Sequence, residues 1–494
     1  MYKVFLFTSL LLSNLCFGQW NQMGSTIQGE EEDDKFGWST AINSTGDVLV
    51  VGGYGNDGNG DYAGHTRVFA WDGTNWIQRG GDIEGTSAME FSGRKVSVDA
   101  SGNTIAITSL YTVNQNGLMS GSVRVFDWDG INWVQRGQTI FGQGHPSLGE
   151  WFGEGLSLCA DGNTLIIGGP NRINAGFRQG YAQVYQWNGN EWTQLGNDIE
   201  GHEAYDVLGM SVSINEMGNV VAVGAPGNVG YGINQAGYVK VYEWTGTDWI
   251  QRGTTLFGEF DGDEFGRSVC LNSSGDVLAI GAPGYDIMSN NLVCTAYVYE
   301  WNGTNWAQRG NTFLGVEVAN EFGRSVSLNA SGNIMAVGAP VYGTNGKLQI
   351  FEYTGAIWTQ IGDNLVGNNM NDIFGCSVSL NENGDAVAVG AWGGSQDHGY
   401  VSVFQNPSLV GTNELLSDDS QIYFYPNPAS DFVFISGDAD MNKIRLLSLD
   451  GKEVMSFNPD GKNKIDLTNI KSGIYVLEFL TNSSLQCSKI IVQR

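Results

Sequence analysis

Residues 306–353 read WAQRGNTFLGVEVANEFGRSVSLNASGNIMAVGAPVYGTNGKLQIFEY, and this stretch recurs with variations so that the chain holds seven copies. Four anchors set its register. A tryptophan opens each copy, at Trp20, Trp76, Trp133, Trp192, Trp249, Trp306 and Trp358, and a glutamine follows two positions later, from Gln22 to Gln360. Next comes an aromatic residue or leucine before a small residue: Phe36-Gly37, Phe91-Ser92, Phe152-Gly153, Leu208-Gly209, Phe265-Gly266, Phe322-Gly323 and Phe374-Gly375. Last is a Gly-Asp or Gly-Asn pair, from Gly46-Asp47 to Gly384-Asp385. Self-similarity at a nearly fixed period of this length marks a repeat architecture.

Each copy has a β pattern. In the fifth, Ser268–Asn272 and Val277–Gly281 flank a Ser-Ser-Gly-Asp turn and read as a hairpin. Ala296–Trp301 alternates as a third strand, and Trp306–Arg309 follows a polar turn as a fourth. Helical periodicity is absent. Four antiparallel strands, seven times over, predict an all-β fold: a seven-bladed β-propeller over residues 19–405. The repeat region opens with a lone fourth-strand motif, Trp20–Gly24, and closes with three strands ending at Val401–Phe404. The N-terminal strand is therefore expected to complete the last blade and leave no open edge at the seam. The tryptophans are expected to pack between blades, the glutamines to bond backbone, and the Gly-Asp and Gly-Asn pairs to supply positive φ.

Of 494 residues 71 are glycine and only 15% are charged, which suits short strands joined by tight turns. The net charge is −28; residues 422–494 carry eight basic and eight acidic side chains, which leaves 16 against 44 upstream. Such a surface repels nucleic-acid phosphates and anionic lipid, so no nucleic-acid partner is expected. Residues 1–18 read as a secretory signal: Lys3, the apolar run Val4–Leu12, and the small Gly18 before Gln19. Leu15 is too bulky for a lipoprotein signal at Cys16, and no other apolar run is long enough to span a bilayer. The remaining cysteines (Cys159, Cys270, Cys294, Cys376 and Cys487) are odd in number and far apart, which points to free buried thiols rather than a disulfide framework or a zinc site.

The repeat resembles the FG-GAP family, the propeller repeat of integrin α-subunits. The carriers are Phe322-Gly-Arg-Ser-Val326 and its counterparts, and Gly-Ala-Pro at Gly224–Pro226, Gly281–Pro283 and Gly338–Pro340. That motif weakens at Gly168-Gly-Pro170, Gly390-Ala-Trp392 and Gly52-Gly-Tyr54, and is lost at Thr108-Ser-Leu110. The family's calcium loops do not carry over, because the turns here, such as Asn329–Asn333, hold too few oxygen ligands.

Residues 406–421 read as a polar linker, and the repeat then vanishes. Strand-like runs at Phe432–Ser436, Lys443–Ser448, Ile474–Phe479 and Lys489–Val492, with a turn at Asp450-Gly451, predict a small β-sandwich. Residues 422–494 resemble the type A C-terminal sorting domain of the type IX secretion system of Bacteroidetes, in Tyr425-Pro-Asn-Pro-Ala429, Asp450-Gly-Lys452, Ile465-Asp-Leu467, Ser472-Gly-Ile-Tyr475 and Lys489-Ile-Ile-Val492. The resemblance implies export to the periplasm, passage across the outer membrane by the type IX machinery, and then surface attachment or release.

The short first-to-second and third-to-fourth strand turns are nearly uniform. The second-to-third loops and blade connections vary and share the opposite face, where recognition is expected. Acidic runs at Glu30–Asp34, Glu200–Asp206 and Glu259–Glu264 make that face read as acidic. In Asp57-Gly-Asn59-Gly-Asp61 the alternating oxygens resemble the start of a calcium loop, against the polar turn that such residues also build. Asp57, Asn59 and Asp61 are thus the candidate metal ligands. His65, His145, His202 and His398 read as lying in loops of different blades without metal-ligand spacing, and no nucleophile elbow or phosphate loop is present, so no catalytic residue is assigned. The expected function is a secreted or cell-surface binding or adhesion module, non-catalytic, for a glycan or protein. The alternatives are a polysaccharide hydrolase or lyase, whose paired carboxylates would meet only in space, and a structural surface protein without a ligand.

Overall fold

The structure is a computed structural model that describes residues 19–145, 149–174, 177–201, 203–227, 236–284, 294–315, 321–341, 344–393, 398–407, 409, 423–425, 432–436, 441–448, 452–457, 464–481 and 485–492. Residues 1–18, read as a signal, His202, most of residues 406–421, residues 426–429 and residues 450–451 lie outside the described residues. The described residues fall into two compact units, one up to Leu409 and one in the tail.

The first unit is a seven-bladed propeller. Blade 1 consists of Phe36–Ile42, Val48–Gly53, His65–Trp71 and Trp76–Gln78. Blades 2 to 7 repeat this order, opening at Ser92, Gly155, Ser211, Ser268, Ser325 and Ser377. The second strands carry the pattern of full burial: Val220–Ala225, Val277–Ala282 and Ile334–Ala339 are buried along their whole length, as continuous apolar runs should be. The outer strand is more broken than its sequence shows. After Trp76–Gln78 the chain bulges, then resumes as Ile83–Glu84 on the same third strand. Gly80 at the break has φ +84°, open to glycine at little cost. The seam closes as its motif order predicts: Asn21–Gln22 and Ile27–Gln28 pair with Tyr400–Gln405 of blade 7.

Three closed circles of hydrogen bonds hold the blades to one another. Each anchor tryptophan donates its indole N–H to a carbonyl three residues past the tryptophan of the preceding blade: Trp76 to Met23, Trp306 to Arg252, and finally Trp20 to Ile361, all at 2.8–3.4 Å. This is the expected inter-blade packing, with a polar handle on each ring. Between inner strands, Ser97, Ser157, Ser213, Ser327 and Ser379, with Cys270 and Ser39, accept a backbone N–H of the neighbouring blade. At the uniform-turn face, the N–H of Ser44 donates to Ala100 O, then Ala100 to Ala160, Ala160 to Glu216, Glu216 to Ser273, Ser273 to Ala330, Ala330 to Glu382, and Glu382 back to Ser44, at 2.9–3.3 Å. The turn glycines have positive φ as expected, from Gly46 at +77° to Gly384 at +75°. The glutamines divide: Gln135, Gln194, Gln251, Gln308 and Gln360 donate to a carbonyl two residues on, while Gln22 and Gln78 donate to a side chain four residues on, and Gln78 also accepts from Arg67.

In six blades the residue of the Phe-Gly motif is a buried plug: Phe36, Phe152, Leu208, Phe265, Phe322 and Phe374 are at most 1% exposed. Blade 2 departs from the register read from sequence. Ser92, not Phe91, holds the plug position, bridging Gly64 as Phe265 bridges Gly237. Arg124 answers the smaller side chain by bonding Ser92 Oγ and Glu84 O.

In the tail, Tyr423–Tyr425, Phe432–Ser436 and Lys464–Asp466 form one sheet, and Glu453–Phe457, Met441–Ser448, Gly473–Thr481 and Leu485–Val492 another. Val433 and Ile465 of the first pack with Ile444, Leu446, Leu477 and Val492 of the second in one core, a small sandwich. Cys159, Cys270, Cys294 and Cys376 are not joined in disulfides.

Candidate functional site

The blade connections build the loop face by one device. The residue before each plug is left-handed: Lys35, Phe91, Trp151, Val207, Glu264, Glu321 and Ile373 have φ between +48° and +57°. In six blades its carbonyl accepts the N–H three residues on, as Glu264 O does from Arg267 and Glu321 O from Arg324. This turn sends the residue after Phe-Gly, or Ser-Gly in blade 2, toward the mouth of the central channel. Around the ring that position reads Trp38, Arg94, Glu154, Met210, Arg267, Arg324 and Cys376. Glycine precedes it in every copy and serine follows it in five, while the column itself runs through aromatic, cationic, anionic and apolar side chains. Non-glycine residues held left-handed cost about 1–3 kcal/mol each and concentrate at functional sites.

These side chains line two adjoining cavities. One of about 910 Å³ is bounded by Tyr54, Phe91, Arg94, Tyr111, Arg124, Trp151, Glu154 and Arg267 among others. The second, of about 300 Å³, is bounded by Trp38, Lys95, Glu154, Arg267, Arg324 and Trp392, and the two share Glu154, Met210 and Arg267. An aromatic rail runs along one side. Trp392 lies 5.2 Å from Trp38, Trp38 4.9 Å from Tyr54, Tyr54 5.7 Å from Phe91, and Phe91 5.1 Å from Tyr111, ring centre to ring centre. The displacement of Phe91 from the plug position is what supplies the link between Tyr54 and Tyr111.

The mouth is cationic, which the acidic runs of the loops do not announce. Arg94, Lys95, Arg267 and Arg324 converge there. Arg94 stacks 4.1 Å from the Trp38 ring centre and pairs with Glu154 at 3.1 Å. Burial pushes the Glu154 carboxyl up, but Arg94 and Lys95 outweigh it and hold the carboxyl below its ordinary range. Removal from water, reinforced by Arg94, Arg267 and Arg324 against Glu154, pushes the Lys95 ammonium down to about 8. Burial and the facing Arg324, against Glu264 and Glu154, bring Arg267 down to about 10.

The acidic loops have structural work instead. Asp34 accepts the N–H groups of Glu30 and Glu31, Asp206 that of Glu203, and Asp263 those of Glu259 and Phe260. Each closes its own loop by a side-chain turn. Asp57, Asn59 and Asp61 are exposed and outside both cavities. Asp57 Oδ1 accepts the Tyr62 N–H and Asn59 Nδ2 donates to Gly85 O, which are the bonds of a polar turn.

His65 is not in a loop: it opens the third strand of blade 1 and is fully buried. With Glu30 and Asp82 it forms a group close enough to hold a metal ion among the described residues. Arg67 stands 3.6 Å from Glu30 and 3.8 Å from Asp82 and already supplies the positive charge those carboxylates face.

Residues 423–493 match a family described as the secretion system C-terminal sorting domain. This agrees with the reading of the tail as a type IX sorting module, and with export to the cell surface or beyond. None of the curated proteins matches the chain. Among solved structures, Sqt1 from Chaetomium thermophilum is similar at 15% identity and TM-score 0.47, over 78% of this chain and 99% of that one. The GH74 enzyme of Niastella koreensis is similar at 12% identity and TM-score 0.47, over 95% and 74%. Raptor from Chaetomium thermophilum is similar at 11% identity and TM-score 0.48, over 79% of this chain and 29% of that one, so this chain spans less than a third of its length. No described helix is long and apolar enough to cross a membrane.

Proposed function

We propose that the propeller is a non-catalytic binding or adhesion module, carried out of the cell by its sorting tail, that engages a glycan or protein at the channel mouth. One observation carries this reading: a position of variable chemistry between nearly constant neighbours contributes Arg94, Glu154, Met210 and Arg267 to a cavity of about 910 Å³ with an aromatic rail beside it. Aromatic faces with a few placed polar groups are the usual make-up of a recognition site. The non-catalytic reading is supported by the carboxylates of the larger cavity. Glu154 is paired with Arg94, and Glu90 is held by Thr86 and Ser87. The Phe-Gly and Gly-Ala-Pro segments stand at equivalent places in the blades, which supports reading the copies as FG-GAP-type repeats.

The test is a glycan-array and surface pull-down screen of the purified chain, with calcium and with chelator. Selective binding that falls in a Trp38→Ala, Trp392→Ala variant is expected. Binding indifferent to that variant removes the channel mouth from consideration. Loss on chelation brings Asp57, Asn59 and Asp61 back as calcium ligands. New reducing ends in a bound oligosaccharide overturn the non-catalytic reading.

A further inference from the structure

We infer that the ligand of the channel mouth is an acidic polysaccharide, one whose sugar faces lie on the aromatic rail while its carboxylate or sulfate groups enter between Lys95, Arg267 and Arg324. This deepens the proposed function and rests on it.

The charge distribution argues first. The whole chain carries −28, and the region upstream of the tail has only 16 basic residues. Four of them meet at one mouth, contributed by blades 2, 5 and 6, where Arg94, Arg267 and Arg324 oppose the charging of Lys95, and Arg324 and Arg94 that of Arg267. Like charges gathered out of water are unfavourable unless something answers them. Here Glu154 answers Arg94 at 3.1 Å, and Glu264 lies 3.9 Å from Arg267. Glu321 borders the smaller cavity beside Arg324. Among the described residues one buried and two half-buried carboxylates face four cations, which leaves positive charge in excess, so a ligand group that brings negative charge completes the site. An arginine pair suits planar carboxylate or tetrahedral sulfate, since each presents a fork of donors.

Shape argues second. The rail is continuous over blades 7, 1 and 2 rather than a single platform, and it borders an open cavity. A chain of rings with apolar faces and anionic edges matches an apolar strip with cations along one side. An acidic peptide has no such repeating faces, and the propeller's negative exterior repels a duplex of nucleic acid before it reaches the mouth.

The experiment is calorimetry of the full chain with oligogalacturonate, with a chondroitin sulfate oligomer, and with neutral cello-oligosaccharide, at low and high salt. At least one acidic probe is expected to bind, more weakly as salt rises, and to lose about tenfold or more in affinity in Arg267→Gln, Arg324→Gln, as expected when charge-assisted hydrogen bonds are removed. Arg267→Lys, which keeps the charge, should retain part of that affinity. Thermal melting of each variant separates a lost site from a lost fold, and Lys95→Met provides a second variant if the double change does not fold. Neutral oligosaccharide bound as tightly as acidic, with no effect of Arg267 and Arg324, overturns the inference and leaves the binding module standing. Binding of an acidic peptide or nucleic acid in place of all three sugars also overturns it. Silence from every ligand class overturns both readings.

Discussion

Gly281 shows how little freedom some positions have. A Cβ there would lie 1.9 Å from Gly323 O of the next blade, and the same approach recurs between Gly338 and Gly375 and between Gly390 and Gly37. The Gly-Ala-Pro and Phe-Gly motifs thus meet across the blade boundary. Gly281→Ala is expected to cost about 3 kcal/mol through forced backbone displacement, read as a fall in the denaturation midpoint. Trp306→Phe keeps most of the ring but loses the bond to Arg252 O. It should cost about 1–2 kcal/mol by the same measurement, less than Trp306→Ala. Lys95 gives a pH signature. Its folded pKa of about 8 lies below the ordinary lysine value of 10.5, so below pH 8 the ammonium is charged in both states and the folded form bears the cost. Stability from this group rises between about pH 8 and 10.5, where the unfolded chain binds the proton and the folded one does not. Lys95→Met should therefore be the more stable protein at about pH 7 and lose that advantage by about pH 10, as read by chemical denaturation at each pH.

The strands were legible because their signals are dense: a tryptophan, a glutamine, a plug and a turn in every copy. The seam was legible for the same reason, since Trp20–Gly24 repeats a motif that blade 7 lacks. Two elements escaped. The resumed outer strand, such as Phe313–Leu314, has two residues and no alternation to detect. In blade 2 both Phe91-Ser92 and Ser92-Gly93 fit an approximate motif, and the left-handed φ of Phe91 with the bridge from Gly64 to Ser92 decides between them. The channel mouth escaped because its residues lie one repeat apart, so no local window holds two blades' contributions. Aligning the copies and reading down the position after Phe-Gly would have found six of its seven members. The seam itself is testable. Met23 N–H bonds Val403 O at 2.8 Å. Met23→Pro should cost about 1–3 kcal/mol and raise hydrogen exchange in blades 7 and 1 first, whereas a uniform rise over all blades would show that the ring opens as one unit.

For the whole propeller, salt acts in two directions. Added salt screens the repulsion of a chain at −28 and should raise the melting temperature. The same salt should weaken an acidic ligand at the mouth, so stability and affinity are expected to move oppositely along one titration. If both fall together, the negative exterior contributes no strain to the fold. The closed seam has a mechanical meaning. Tyr400–Gln405 is the last propeller strand before the tail, and it is bonded on one face by Ala386–Ala391 and on the other by Asn21–Gln22 and Ile27–Gln28. A chain held by its tail while its ligand drags at the channel mouth takes the load along that strand. Two ladders then share the tension in shear, and no free edge is offered for peeling; the first strand of the chain acts as a clasp over the last.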